Sequence, residues 1–506
     1  MKNHCRKLAL LLALIVTLTT TLTATLTGCN IDKAGDATAT PEPVIDDGTA
    51  TSPATAAPDE SPRPVVNGED YDPGIELPEG AVYHPSTGHN YNVESKDGTV
   101  PLNADTGEFL FYIGDMYTYG DYVYTYEGDG MKPNSGPGWR VALNSDADLS
   151  KEEYGPMFDS ICGVPVYCMS STFKRAKNLK ISPTLPKYLT EIKEAFRGCK
   201  YLEAMPVIPD GVTKMDDAFY GCTSLKTVTP LPKSLKTLNN TFIDCVSLET
   251  APEFPEGLEK MTESFKGCTA LKTVPAIPSS VTVMRGTFKG CTSLVNAPSL
   301  PSGLTIMSEL FQDCVNLTAA PSIPSGVTNM NSSFANTAIT EAPVLPAGVK
   351  DIAGAFSSTA IKTAPEIPNG VESMSGCFMN CTKLTAAPVL PESVNSINYA
   401  FYGCTSLVEV PAFPGKLRDF QHAFAGCTAL ETLPVIPESA ESMQGFCENC
   451  VSLTGVITFE KGYFLQNDCT DAFKGTVKPI YITGPYPQQL STFLSPDQSN
   501  VQILDE

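Results

Sequence analysis

Seventeen cysteines are the side chains with most chemistry to offer in this 506-residue sequence. Ten of them keep a fixed place in a repeating pattern. Cys199, Cys222, Cys245, Cys268, Cys291 and Cys314 follow at 23-residue steps, and Cys381, Cys404, Cys427 and Cys450 resume the series. Thiols can bridge, ligate a metal or pack as small hydrophobes. Zinc needs ligands paired closely in sequence, and one cysteine per repeat supplies no such pair. A disulfide needs a preferred partner, whereas each ladder thiol has two equivalent neighbours. Helical turns stacked at about 10 Å would also hold the Cα atoms outside the roughly 4.4–6.8 Å window of a bridge. The pattern therefore predicts buried, unpaired thiols. Cys162, Cys168, Cys377, Cys447 and Cys469 lie off this ladder, and a bridge of Cys162 with Cys168, or of Cys447 with a neighbour, stays open. Cys447-x-x-Cys450 has redox spacing, but its register in the repeat makes it structural.

Other reactive constellations are missing. The histidines are His4, His84, His89 and His422, so the commonest general base and metal ligand is nearly absent. No Gly-x-Ser-x-Gly elbow, phosphate loop or His-Glu-x-x-His occurs. Asn144 to Ser150 resembles the start of a calcium loop, yet Met157 stands where the late bidentate glutamate is needed. It reads as a solvated acidic turn, and His422 as a lone surface residue on a helical turn. No enzyme activity, catalytic residue, metal or cofactor is expected. A formal charge of -22 excludes nucleic acid, whose phosphates need clustered Lys and Arg.

The elements that position these side chains repeat. Phe173, Phe196, Phe219, Phe242, Phe265, Phe288, Phe311 and Phe334 are 23 residues apart; Phe356 and Phe378 follow at 22, then Phe401 and Phe424 at 23. A repeat this short specifies a solenoid whose rungs bury their apolar faces on one another. Met215, Phe219 and Cys222 stand at i, i+4 and i+7, which predicts a short helical turn in each rung, with Asp216, Asn239, Thr262, Ser308, Asn331, Ser375 and Asn398 as N-caps and Gly-Cys-Thr as the stop. The other sides are brief extended pieces. Two prolines per rung remove ladder donors, so regular strand should be patchy there. Twelve to thirteen rungs at about 4.8 Å give an array near 60 Å long.

Flanking segments differ. Met116 to Tyr126 alternates tyrosines on both sides of Gly120-Asp121, a hairpin signature. Its aromatic face either stacks on sugar or, the favoured reading, packs around Trp139. Lys478 to Gly484 and Val501 to Leu504 read as closing strands, and Cys447 occupies the phenylalanine place of its rung.

At the N-terminus, Lys2, Arg6 and Lys7 precede an apolar run, Leu8 to Val16, too short to span a bilayer. Leu26-Thr27-Gly28-Cys29 resembles the lipobox of bacterial lipoproteins. The resemblance implies cleavage before Cys29 and diacylglycerol on its thiol, a stable membrane anchor when a second chain is added. A Thr/Ala/Pro-rich stretch follows, too poor in large apolar side chains to fold, and about 45 residues of such coil reach roughly 35–40 Å.

Val327-Thr328-Asn329-Met330 with Phe334, and Ala400-Phe401-Tyr402-Gly403-Cys404-Thr405-Ser406-Leu407, resemble the BspA-like leucine-rich repeats of bacterial surface proteins. The resemblance implies a curved leucine-rich-repeat solenoid, a right-handed coil of short strands and short helical turns behind a small β-rich module. It also implies adhesion-type partners. These are host or bacterial surface proteins or glycans, with the membrane reached through the lipid alone. The extra prolines depart from the common repeat, so no ligand-binding residue is carried over. The expected domains are a signal peptide (1–28), a disordered tether (29–75), a β-rich module and cap (76–168), the solenoid (169–475) and capping strands (476–506). Exchangeable positions such as Lys226-Thr227, Glu249-Thr250 and Lys272-Thr273 would carry binding on an outward-facing, cell-surface array. Two alternatives stand beside this reading: a passive spacer or coat, and a glycan-active hydrolase in the β module.

Overall fold

Strand-forming tyrosines and valines build the N-terminal part of the protein. The computed structural model describes residues 82–84, 113–128, 138–161, 164–460, 469–485 and 499–504, all within the unit Asp70–Glu506. Cys29 with its lipobox, the tether and Cys162 lie outside the described residues. Six strands form the first sheet: β1 (Val82–His84), β2 (Met116–Tyr119), β3 (Tyr122–Tyr126), β4 (Trp139–Leu143), β5 (Ser160–Ile161) and β6 (Val164–Cys168), in the order β1-β2-β3-β4-β6-β5. β2 and β3 pair antiparallel as the expected hairpin, and Gly120 takes the left-handed conformation (φ 55°) that its tight turn requires. Tyr117, Tyr122 and Tyr124 are buried, and the Tyr117 and Tyr126 rings both lie 5.3 Å from that of Trp139. The tyrosine face is therefore core, not a sugar platform.

This sheet runs into the repeats. Cys168, the last residue of β6, bridges Glu191 in parallel, and the rings of Tyr122 and Tyr154 cover Phe173 at 6.3 and 5.5 Å. Thr172 Oγ1 donates to the Val141 carbonyl of β4 at 2.7 Å. The exposed face of the first rung is thereby closed. At the other end β7 (Gly455–Thr458), β8 (Ile480–Thr483) and β9 (Val501–Ile503) form a parallel three-stranded sheet.

Between these caps the rungs contain no helix among the described residues, which corrects the helical-turn expectation. The segment from the methionine to the cysteine position is instead a run of turns in which two residues per rung are left-handed. Residues two past the methionine position (Asp217, Asn240, Glu263) and two past phenylalanine (Gly221, Asp244, Gly267) all have positive φ. Alternating handedness points every second N–H along the array. Met261, Glu263, Phe265 and Gly267 donate to the carbonyls of Val283, Arg285, Thr287 and Lys289 in the next rung at 2.7–3.0 Å. An α-helix would have spent those donors inside its own segment. The residues expected as N-caps are followed by a left-handed residue, and Gly-Cys-Thr is a link in this ladder, not a helix stop. The carboxylate of Asp244 lies over Gly267, and the amide of Asn380 over Gly403, where a Cβ would collide.

The core is a column of rings. Phe173 to Phe424 stack in eleven steps of 5.2–6.0 Å with interplanar angles of 3–20°, carrying the spine about 60 Å. Offset aromatic stacking adds about 0.5–1.5 kcal/mol per pair to the area buried. The column ends where Cys447 takes the phenylalanine place, and Phe446 meets Phe424 edge-on at 78°. Regular strand is indeed patchy. The rungs touch through single parallel bridges, such as Lys260↔Val283 and Val283↔Ile306 on the side before the methionines.

Candidate interaction surface

The ladder thiols are the first sequence-derived candidates to place. All ten are fully buried and free, Cys377 and Cys447 likewise, and Cys168 is free and buried. Each ladder Sγ donates to the carbonyl of the phenylalanine one rung back, as Cys268 does to Phe242 and Cys404 to Phe378, both at 3.0 Å. Small hydrophobes with a directed hydrogen bond is thus the fuller description. The spacing argument against disulfides fails, because the rungs lie at sheet distance and not at helix distance. What keeps the thiols apart is that each is committed to a carbonyl and has no unique neighbour. Burial pushes the thiols of Cys199 and Cys314 up to about 12, so they stay protonated and unreactive at neutral pH.

His422 is not a lone surface residue on a helical turn. It is left-handed (φ 50°), half-buried and stacked on Tyr399, with Nδ1 3.8 Å from Glu448. Burial lowers its pKa against the raising effect of Glu448. Among the described residues no group of three or more His, Cys, Asp or Glu could hold a metal ion.

What the fold presents outward is a set of rows. Lys226-Thr227, Glu249-Thr250 and Lys272-Thr273 are exposed as expected. They stand one rung apart: Thr250 bridges Thr273, and Lys272 Nζ reaches Glu249 at 3.0 Å. Such exposed pairs contribute at most about 1 kcal/mol each, so these positions can change without harm to the fold. A second row precedes the methionines. There Asn329 donates to Asp351 at 3.1 Å and Ser396 to Asp419 at 3.0 Å.

Sequence reasoning missed a groove on the proline side. On that side rungs bridge in alternate pairs, Ala204↔Thr227, Thr250↔Thr273 and Asn296↔Ala319, then Ala386↔Glu409. The equivalent pair, Glu341 with Thr363, is not bridged among the described residues, and these are the two 22-residue rungs. A cleft of about 470 Å³ opens there, walled by Pro343, Val344, Leu345, Pro365, Glu366 and Ile367, with Val344 87% exposed. The deletion in both rungs falls at the cysteine position and leaves the arm its full length, Ile339 to Val349 as Leu317 to Val327, so no signal in the sequence marked this cleft.

The repeat model described as BspA type leucine rich repeat region matches residues 167–295, 239–362 and 350–478, in six copies. The chain belongs to this family. BspA-type repeats thus cover more than half of the sequence, in a class of repeat proteins typically involved in protein interaction and generally serving as non-enzymatic scaffolds. A leucine-rich repeat protein from Bacteroides ovatus superposes with a TM-score of 0.56 at 21% identity, over 76% of this chain and 98% of that one. A leucine-rich cell surface protein from Faecalibacterium prausnitzii gives 0.47 at 22% identity, over 75% and 98%. The pneumococcal vaccine antigen PcpA gives 0.45 at 19%, over 78% and 100%. The first of these supports the leucine-rich repeat fold. No curated protein matches the chain. Among the described residues no helix is long and apolar enough to cross a membrane.

Proposed function

We propose that this BspA-type array is a surface-displayed binding module of adhesion type, held at the membrane by lipid on Cys29 and lifted off it by the tether. Its partners are proteins or glycans of host or bacterial surfaces. The observation that carries the reading is the division of labour within each rung. Phenylalanine, methionine or its substitute, and cysteine are fully buried in copy after copy, while the two residues after the leucine that follows the cysteine place are exposed in most rungs and vary in charge. A passive spacer has no use for such variation, but a binding face does, and repeat arrays use extended faces in this way.

The test displays the full chain on lipid vesicles or cells and compares it with a variant reversed in charge at Lys226, Glu249 and Lys272. Retention of host-matrix proteins or glycans by the parent, reduced at least tenfold in the variant, is expected. No retention by either would favour the spacer, and equal retention by both would place the binding face elsewhere than this charged row. Cys29→Ser should shift the chain from the membrane fraction to the medium; if it stays with the membrane, lipid on that thiol is not the anchor.

A further inference from the structure

An asparagine followed by glycine is prone to lose its side-chain amide, because glycine carries no Cβ to hinder attack by its nitrogen on the neighbouring carbonyl. Asn369-Gly370 is the one such pair among the described residues; Asn67-Gly68 lies outside them. Each rung turns a corner after its second proline, and here the N–H of Val371 donates to the Pro368 carbonyl at 3.1 Å. Asn369 and Gly370 are therefore the central pair of a β-turn. The same corner carries Asp210-Gly211, Glu256-Gly257 and Ser325-Gly326 in other rungs, so only this copy presents an amide.

Both reacting groups are uncommitted. Asn369 is exposed, and its side chain makes no hydrogen bond among the described residues. The Gly370 N–H likewise donates to no acceptor among them. Elsewhere the nitrogen that follows an asparagine is spent on the ladder. Ser332, after Asn331, donates to Ala353 at 2.8 Å, and Tyr399, after Asn398, to Gln421 at 2.9 Å. The corner also ends the arm that forms one wall of the proline-side cleft, which Asn369 lines. Among the described residues no backbone hydrogen bond joins residues 363–370 to another rung. Only the bond across the turn itself must loosen for the Gly370 nitrogen to swing over the Asn369 side chain.

We propose that Asn369 is a site of spontaneous deamidation in the folded protein. The Gly370 nitrogen gives up its proton and bonds to Cγ of Asn369, the Cγ–Nδ2 bond breaks, and ammonia leaves with that proton. Water then adds to either carbonyl of the resulting succinimide and opens it to aspartate or isoaspartate. Water is the sole co-reactant, and nothing is oxidised or reduced. The array accepts the new charge, since Asp210, Glu256, Glu392 and Glu438 already stand exposed in this place on other rungs. The product sets a second carboxylate beside Glu366 on the cleft. Isoaspartate also routes the main chain through the side-chain carbons and lengthens the corner by one methylene. The reaction thus recharges and reshapes one cleft while the buried spine is left alone.

The test ages the full chain at about 37 °C, at pH 7 and pH 9, and digests it in acid so that handling adds no conversion. Mass spectrometry with fragmentation that separates aspartate from isoaspartate then reads each asparagine. Asn369 should convert at least fivefold faster than Asn331 and Asn395, and faster at pH 9, because the attacking nitrogen must lose its proton. Gly370→Ser should slow the conversion at least fivefold. That variant should melt no lower than the parent, since Ser393 fills this place on the next rung and donates to the Val371 carbonyl at 2.6 Å. Asn369→Gln should leave the corner unmodified over the same period. Asn369 intact while Asn331 or Asn395 converts, conversion confined to urea-unfolded chain, or an unchanged rate in Gly370→Ser would each overturn the site.

Discussion

Replacing Phe265 by alanine is expected to lower the free energy of unfolding by about 3–5 kcal/mol, at the upper end for a single core truncation. The ring lies between Phe242 (5.3 Å, 7°) and Phe288 (6.0 Å, 15°), so its removal opens a cavity and unstacks both neighbours. The rungs on either side are held by hydrogen bonds from Phe265 and its flanks, and they cannot close the gap without breaking that register. Urea titration followed by circular dichroism reads the loss, and hydrogen exchange should show it concentrated in the rungs next to Phe265. Phe265→Leu keeps most of the volume and should cost less. A loss below about 1 kcal/mol for the alanine variant would mean that the spine is not what holds the rungs.

Alkaline pH should unfold the protein more steeply than its carboxylates or surface charges can explain. Burial raises the ladder thiols in the folded chain, Cys199 and Cys314 from 9.0 to about 12. An unfolded thiol ionises near its ordinary value, so the unfolded state releases protons that the folded state keeps. The stabilisation is whole below pH 9 and is lost as pH rises toward the folded values. Within that window each thiol removes about 1.4 kcal/mol per pH unit. Thermal melts at pH 7, 9 and 10 should show a sharp fall. Alanine at Cys268, Cys291 and Cys314 should flatten the slope by about 4 kcal/mol per pH unit. A parent whose melting point is level up to pH 11 would show the thiols to be far more accessible than the packing around them indicates.

The period, the phenylalanine column and the burial of the thiols were legible because all three follow from repetition alone. The backbone between Met215 and Cys222 was not. Spacing of i, i+4 and i+7 buries one face of a helix, and it equally buries one face of a run of turns that alternate in handedness. The deciding residues are those two past the methionine. Asn240 and Gly286 accept a positive φ readily, but Glu263, Glu309, Tyr399 and His422 give no such sign in sequence. Once the rungs stand at sheet spacing, the thiols come within bridging range, and the reason they stay free passes from distance to hydrogen bonding. The proline-side cleft depends on which neighbouring arms are left unbridged, and repetition alone does not show that.

Excising one whole repeat is the most direct trial of the idea that rungs are stabilised by their neighbours and interchangeable along the axis. Removing residues 262–284 joins Met261 to Arg285 in unchanged register, so Phe288 can take the place of Phe265 over Phe242. The shortened protein should be soluble and cooperative, with the parent's far-ultraviolet spectrum per residue, whereas removal of residues 262–272 should unfold the array around the cut. Equal disruption by both deletions, or equal tolerance of both, would contradict the account.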